Sequence, residues 1–322
     1  MRTILKNIVS SVVFVAILIG LLCISSLVFH PKSNSKADGI HNSSAYGVLS
    51  EPKDSIDALF LGDSEVYHAF IPLRIWKEYG ITTYDCSTPN QKLVYSLEFL
   101  RKTFKQQSPK IVFLETNEMY RNTYFEDELT YTIEDMMPVF RYHDRWKNLQ
   151  FKDFYSSVDY NSNERNKGYR FIKDVKPAKL KDYMKYSKVS APIQSINEKY
   201  VRQIKKFCDE NNTKLIFLST PSPKNWNYQR HNSVEALAKE LDVDYIDMNL
   251  LRDEIPIDWK KDTKDKGDHL NYYGAVKATD YMGNYLKNTK LFKDKSNDKN
   301  YSKWDKDLKK FEKKVKKEIG EL

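Results

Sequence analysis

The stretch "DALFLGDSEVYHAF" (residues 57–70) opens with an apolar run that ends abruptly in Gly62-Asp63-Ser64. A short apolar run that is closed by a turn is typical of a strand buried in a parallel sheet. In such sheets, reactive groups lie just beyond the carboxyl ends of the strands. Ser64 is therefore predicted to be either a nucleophile at the edge of the sheet or a cap of the following helix, because Asp and Ser are common helix N-caps.

Further apolar runs of the same kind alternate with helical patterns along the chain. Residues 93–106, 196–211 and 233–241 space their apolar side chains by three and four, as one face of a helix does. Strands that alternate with helices indicate an α/β fold, a parallel sheet with helices on both faces. Asn117 and Thr220 follow two of the strands, so they should share one edge of the sheet with Ser64. The predicted strands are residues 55–62, 80–87, 109–116, 213–220 and 243–249.

Composition narrows the function classes. The chain has 322 residues, 40% of them hydrophobic, and a formal net charge of +9. This mild basic excess fits an anionic polymer or an anionic membrane surface. No zinc-finger spacing, RNA-binding aromatic signature or Walker glycine loop is visible, so no nucleic-acid partner and no cofactor are predicted. Cys23 lies in an apolar run, and Cys86 and Cys208 are expected to be buried free thiols.

The N-terminal segment reads as a membrane anchor. Arg2 and Lys6 precede an uncharged apolar run over residues 8–29, which is long enough to cross a bilayer as a helix. Positive charge on the N-terminal side predicts a single-pass protein of the cell membrane with a cytoplasmic N-terminus and an extracytoplasmic domain. The alternative is a cleaved signal peptide, whose apolar region would be unusually long.

Segment composition predicts the domain organisation. The segments are a cytoplasmic stub and transmembrane anchor (1–30), a linker rich in Ser and Asn (31–54), an α/β domain (55–290) and a basic C-terminal helix or tail (291–322). Residues 118–190 interrupt the alternation with an aromatic, charged stretch that is too long for a plain connection. We interpret it as a helical insertion that is either a lid or substrate platform over the sheet edge, or a structural subdomain.

A nucleophilic Ser requires an imidazole to take its proton and a carboxylate to orient that imidazole. Of six His, His68 lies four residues after Ser64, and His269 lies in "DTKDKGDHLNYYGA". His269 follows the last strand, precedes a helix predicted over residues 272–286, and is surrounded by acids. It is therefore a candidate base. A metal site formed by Asp265, Asp268 and His269 is a rival, disfavoured because no second His is nearby.

Two blocks of the chain resemble the SGNH/GDSL hydrolases. "FLGDSEVYHAF" is similar to their first block, and "GDHLNYYGA" is similar to the last block, which carries the catalytic His. The resemblance covers about residues 55–287 and implies a flavodoxin-like, three-layer fold with Ser64 as nucleophile and His269 as base. The pattern is closest to a branch of anchored extracytoplasmic SGNH proteins that act beside membrane-bound O-acyltransferases, which includes relatives of DltD and of the alginate acetylation proteins. "STPSPKNWNYQRHN" (219–232) and "IDWKKDTKDKGDHLNYYG" (257–274) resemble proteins of that kind from low-GC Gram-positive bacteria.

The sequence departs from the family pattern at the acid. The family usually places its Asp three residues before the His, where this chain has Lys266. Asp265 is the favoured third member, because a residue adjacent to His269 usually points away from it in an extended loop, and Asp268 is the alternative.

The oxyanion donors also depart from the family pattern, because its usual Gly is not obvious. Asn117 is the favoured oxyanion side chain, and the Ser64 N–H and Asn90 are expected to complete the hole. Asp63, Trp226 and His231 are candidate substrate-binding residues, and a packing Trp with a surface His is an equal alternative.

These observations, together with the resemblance, predict an extracytoplasmic enzyme that transfers an acyl group, with acetyl as the favoured group, to an anionic cell-wall glycan or teichoic polymer. The resemblance implies a membrane-bound O-acyltransferase as its partner. One alternative is an esterase or deacetylase of the same fold with water as acceptor. Another is a non-catalytic protein that binds the polymer and holds the acyltransferase.

Overall fold

The computed structural model describes residues 2–179 and 182–320. The chain divides into two compact units. The first unit contains residues 2–43 and 124–162, and the second contains residues 44–123 and 163–320.

The second unit is built on a five-stranded sheet in the order β2-β1-β3-β4-β5, in which every neighbouring pair is parallel. This is the flavodoxin-like order of an open α/β sheet, so the predicted fold class is confirmed. Each strand lies within its predicted run, because these runs are buried almost throughout. The strands are β1 (Ala58–Gly62), β2 (Thr83–Ser87), β3 (Ile111–Glu115), β4 (Lys214–Ser219) and β5 (Asp244–Asp247).

The register of the sheet fixes where the functional groups can lie. Gly62 pairs with Ser87 on one side, and Leu61 pairs with Leu114 on the other, so three strands end at nearly the same level. The segments that follow β1, β3 and β4 therefore leave the sheet at one edge, as the sequence predicted.

Helices cover the sheet of the second unit. α10 (Tyr272–Asn288) packs against α3 (Ser64–Ala69) and α4 (Pro72–Tyr79) beside the apolar core, in which the Phe60 ring stacks on Phe70 at 4.3 Å and on Phe113 at 4.9 Å. α5 and α8 also pack against each other, and α9 lies along β5. The helices are α2 (Ser43–Tyr46), α3 (Ser64–Ala69), α4 (Pro72–Tyr79), α5 (Leu93–Thr103), α8 (Ser195–Glu210), α9 (Tyr228–Glu240), α10 (Tyr272–Asn288) and α11 (Ser302–Ile319).

The last helix, α11, is docked on the second unit through a buried ion network. Its residues Trp304 and Asp307 are buried. The fully buried Lys167 ammonium lies 2.8 Å from a Glu51 carboxylate oxygen, 2.9 Å from one of Asp307, and 4.7 Å from the Trp304 ring centroid. The predicted linker (31–54) thus contributes a core residue, and the predicted basic tail (291–322) contains an ordered helix.

The first unit holds the apolar N-terminal helix α1 (Arg2–Phe29) and the helical part of the segment 118–190. That part contains α6 (Phe125–Met136), α7 (Pro138–Arg141) and the short 3-10 helices His143–Lys147 and Phe151–Phe154. From residue 163 the described part of the segment contains no helix or strand and belongs to the second unit, where the Arg170 N–H donates to the Tyr67 carbonyl at 2.8 Å. The predicted insertion is therefore helical only in its first half.

α1 is the only helix among the described residues that is long and apolar enough to cross a membrane. Length and composition alone fit a membrane anchor or a signal sequence. Cys86 and Cys208 are buried free thiols, as predicted.

Candidate active site

Ser64 is the first residue of α3, immediately beyond the end of β1. A side chain at Gly62 would place its Cβ 2.4 Å from Val66 and 2.6 Å from Glu115, so the tight turn before Ser64 requires glycine. Asp63 caps α3 by accepting a hydrogen bond from the Glu65 N–H at 3.0 Å. The capping role therefore belongs to Asp63, and the Ser64 hydroxyl is left for other contacts.

The structure joins Ser64, His269 and Asp265 in one chain of hydrogen bonds. Ser64 Oγ lies 2.7 Å from His269 Nε2, and Asp265 Oδ2 lies 2.7 Å from His269 Nδ1. When Asp265 accepts a hydrogen bond from Nδ1–H, Nε2 carries the lone pair that can accept the Ser64 proton. This is the arrangement in which an imidazole acts as a general base toward a hydroxyl.

The loop before α10 explains why the acid lies four residues before His269. Lys266 and Gly267 have φ of 67° and 88°, so the chain reverses there and carries Asp265 back toward the imidazole. Asp265 Oδ1 also accepts the backbone N–H of His269 at 2.7 Å. The Thr263 hydroxyl fastens the loop further by donating to the His269 carbonyl at 2.9 Å.

Asp268, the alternative acid, is engaged elsewhere. Its Oδ1 lies 3.8 Å from His269 Nδ1, beyond hydrogen-bond distance. The carboxylate accepts instead from Lys224 Nζ at 2.6 Å and from Asn225 Nδ2 at 2.7 Å. As expected for a residue adjacent to His269, Asp268 does not orient the ring.

The electrostatics of the site stabilise the charged forms of His269 and Asp265. Burial disfavours the imidazolium, but the hydrogen bond with Asp265 and the carboxylates of Glu65 and Asp268 outweigh it, so the pKa of His269 is raised above 6.5. Burial alone would raise the pKa of Asp265. Hydrogen bonds from His269 and Lys264 dominate, so the pKa of Asp265 is lowered. The pair resembles the ion pair that forms when a serine gives its proton to the base.

A second carboxyl group, Glu65, lies beside the base and was missed from the sequence. Glu65 is buried, and its Oε1 accepts from Asn225 Nδ2 at 2.6 Å. Burial raises the pKa of Glu65 to about 8. Glu65 directly follows Ser64 in the quoted motif. Its side chain faces His269 only because α3 begins at Ser64, which the sequence did not fix.

His68, on the next turn of α3, lies against the base without bonding to it. The His68 and His269 ring centroids are 5.2 Å apart in an edge-to-face arrangement. Burial, with the charges of Lys264 and His269, lowers the pKa of His68 to about 2, so this ring stays neutral. It therefore packs against His269 as an uncharged ring.

The predicted oxyanion residues occupy different surroundings. Asn117, after β3, is buried, and its Nδ2 donates to Asp63 Oδ2 at 3.3 Å, which places it one residue from the nucleophile. Arg121 Nε donates to the same Asp63 oxygen at 2.9 Å. Asn90 lies on an exposed turn with φ of 53°. Among the described residues, no hydrogen bond connects Asn90 to this cluster.

Trp226 and His231 bind a different carboxylate. Trp226 Nε1 donates to Asp247 Oδ2 at 3.0 Å, and His231 Nδ1 lies 2.9 Å from the same oxygen. Both side chains are buried, so the alternative of a surface His231 is wrong. Asp247 at the end of β5 draws both groups toward itself, and the structure does not bring them into hydrogen-bond contact with the triad.

One group of described residues has metal-like spacing. Glu65, Asp268 and His269 each place a ligand atom within 4.8 Å of the others. This set differs from the predicted rival, because Asp265 is replaced by Glu65. Asn225 Nδ2 donates a hydrogen bond to the carboxylates of both Glu65 and Asp268. These hydrogen bonds account for the closeness of the three side chains.

Comparison with known proteins gives only distant structural likenesses. No family model matches the chain, and no curated protein matches it. Similar solved structures include a putative acylhydrolase from Bacteroides fragilis (13% identity, TM-score 0.37), which covers 75% of this chain and 89% of its own. A lipase/acylhydrolase from Enterococcus faecalis (8%, 0.40) covers 73% and 96%. An acetyl-xylooligosaccharide esterase from Geobacillus (10%, 0.35) covers 76% and 97%. The case for chemistry therefore rests on the contacts of Ser64.

Proposed function

We propose that this protein is a serine enzyme of the SGNH type that transfers an acyl group, with acetyl as the favoured group, to a polymer of the cell envelope. The observation that carries the proposal is the hydrogen-bond chain from Ser64 Oγ through His269 to Asp265, with both links at 2.7 Å. A helix cap does not require a half-buried imidazole and a matched carboxylate, whereas an activated serine nucleophile requires a base and a group that orients it.

The first half-reaction uses the triad as a base and then as an acid. Ser64 Oγ forms a bond to the acyl carbon while its proton moves to His269 Nε2. The bond from that carbon to the donor oxygen then breaks, and the leaving oxygen takes the proton from His269. Asp265 holds the imidazole in the tautomer that can accept and stabilises its charged form. The Ser64 N–H and Asn117 remain the proposed oxyanion donors.

The second half-reaction repeats these steps in reverse order, with the acceptor hydroxyl in place of the donor oxygen. The acceptor hydroxyl gives its proton to His269 and attacks the acyl-serine carbon, and Ser64 leaves with that proton returned. A sugar or polyol hydroxyl as acceptor gives transfer, and water gives hydrolysis. The alternative esterase function uses the same residues.

Location and charge support the choice of transfer to an envelope polymer. The apolar helix α1 would hold the domain at a membrane, and a formal net charge of +9 suits an anionic glycan or teichoic polymer. A membrane-bound O-acyltransferase is the proposed donor-side partner. The partner's existence rests on the resemblance of the two sequence blocks described above.

The partition of the acyl group between the polymer and water distinguishes transfer from hydrolysis. Purified full chain is mixed with an aryl acetate and increasing teichoic polymer, and polymer-bound acetate and free acetate are both quantified. Transfer predicts that acetylated polymer rises and free acetate falls while aryl alcohol release continues. Free acetate that is independent of the polymer would assign the chain as an esterase. Ser64→Ala serves as the matched control for uncatalysed acetylation.

A further inference from the structure

In the first unit, helix α6 exposes an apolar face. On α6, Phe125, Leu129, Ile133 and Met136 follow one another by four, four and three residues, so they share one face. Their exposed fractions are 69%, 48%, 42% and 74%. The remaining positions of α6 are mostly acidic or polar, and none of its residues is buried. We call these four residues the α6 apolar face.

The α6 apolar face belongs to the unit that contains α1, and α7 links the two helices by packing against both. The Val139 N–H of α7 lies 3.4 Å from Ser26 Oγ on α1. Arg145 fastens the end of α1, because one guanidinium nitrogen donates to the Phe29 and His30 carbonyls at 2.8 Å each. The position of α1 in a bilayer therefore fixes the depth of its neighbours in this unit.

The burial pattern of α1 gives that depth. Residues 2–21 are all exposed, and partial burial begins at Leu22. The 28 residues of α1 correspond to a length of about 42 Å, which matches a bilayer of about 40–45 Å with its headgroups. From Leu22 to Phe29 the helix rises about 10 Å. The elements that pack on this stretch therefore lie within the outer headgroup layer and the adjoining acyl chains.

From these observations we infer that the α6 apolar face lies in the lipid interface, so that the first unit is a membrane-embedded collar around the end of α1. A helix with one apolar and one polar face typically lies in the plane of the interface. Exposed aromatic side chains of the same unit suit this layer, since Trp and Tyr concentrate there. They include Trp146, Phe151, Phe154 and Tyr155.

Lipid is favoured over a protein partner because the α6 apolar face and the exposed apolar surface of α1 belong to one unit. The exposed surface of α1 over residues 8–21 is entirely apolar or small and requires acyl chains if the helix spans. The α6 apolar face belongs to the same unit and is joined to this end of α1 through α7, which packs against both helices. The inference rests on the proposed anchor and is independent of the chemistry at Ser64.

Spin-label accessibility in a bilayer tests the inference. Cys23, exposed on α1, is replaced by Ser, while the buried Cys86 and Cys208 remain. A nitroxide is then placed on the full chain through I17C, L129C or T130C, and each variant is reconstituted in phosphatidylcholine–phosphatidylglycerol nanodiscs without other protein. Ile17 reports on α1, and Thr130 is the matched exposed control on the polar side of α6. Collisions with oxygen and with a water-soluble nickel chelate report depth.

The expected result is an oxygen-to-nickel ratio at Leu129 that is shifted well above Thr130 and lies below or near Ile17. If Ile17 is lipid-exposed but Leu129 matches Thr130, the inference is overturned, and the face is left for a protein partner. If Ile17 itself is aqueous, the anchor fails and the inference fails with it. Neither result affects Ser64, whose reactivity is measured separately on the same preparations.

Discussion

Asp265→Asn is the perturbation that examines the geometry of the triad most closely. In the structure, Asp265 accepts two hydrogen bonds, one from His269 Nδ1 and one from the His269 backbone N–H, both at 2.7 Å. An amide has only one oxygen for these two donors. If that oxygen keeps the backbone bond, the NH₂ group faces Nδ1 and forces the ring proton onto Nε2. His269 then cannot accept the Ser64 proton.

The expected loss follows from that change of tautomer. A wrong tautomer in a Ser-His-Asp arrangement lowers kcat by about 10⁴, which corresponds to about 5.5 kcal/mol in the activation free energy. Asp268→Asn is the matched control, because Asp268 Oδ1 is 3.8 Å from Nδ1 and binds Lys224 and Asn225 instead. We expect it to lower kcat by no more than about tenfold, the scale of one moderate electrostatic contact.

The assay is kcat/KM for aryl acetate cleavage by purified full-length variants, with melting temperatures to verify folding. The pH profile adds a second readout. Asp265 raises the pKa of His269, so its neutralisation should move the acid limb of the residual activity to lower pH. Equal losses for the two variants, or a larger loss for Asp268→Asn, would show that the hydrogen bond between Asp265 and His269 does not orient the base.

Two further predictions concern the neighbours of the site and the fold. Glu65→Gln should leave the acid limb of kcat/KM nearly in place, because burial raises the pKa of Glu65 to about 8 and the group is therefore largely uncharged below that pH; a limb that moves to lower pH would show that Glu65 is ionised beside His269. Lys167→Met leaves the buried Glu51 carboxylate and Asp307 without their cation, so unfolding free energy should fall by about 3–5 kcal/mol. The same change at the exposed Lys309 should cost little, and equal Tm values for the two variants would contradict the buried network.

Much of the fold could be predicted because its signals are local. Each strand is a short apolar run, and the turn after β1 carries a glycine that no other residue could replace without collision. Ser64 and His269 stand in short motifs, so their meeting at one edge of the sheet followed from the strand order. Asp265 could be predicted as the acid because it lies in the same loop as His269.

The remaining parts of the site come from distant segments, and no local pattern announces them. Asn225 bridges Glu65 and Asp268, and Arg121 holds Asp63, through contacts that only the folded chain creates. Trp226, in the loop after β4, and His231, in the first turn of α9, instead bind Asp247, a carboxylate at the end of β5. A sequence indicates which loops meet at an edge, whereas side-chain direction depends on the partners that each loop finds.

Covalent labelling of Ser64 tests the central claim most directly. The full chain is treated with a fluorophosphonate, and its intact mass and labelled peptide are determined beside Ser64→Ala and His269→Ala. An activated nucleophile predicts one adduct, located on Ser64, absent from Ser64→Ala and much slower to form in His269→Ala. An unlabelled wild-type chain of normal melting temperature, or an adduct that persists in Ser64→Ala, would contradict the assignment of Ser64 as the nucleophile.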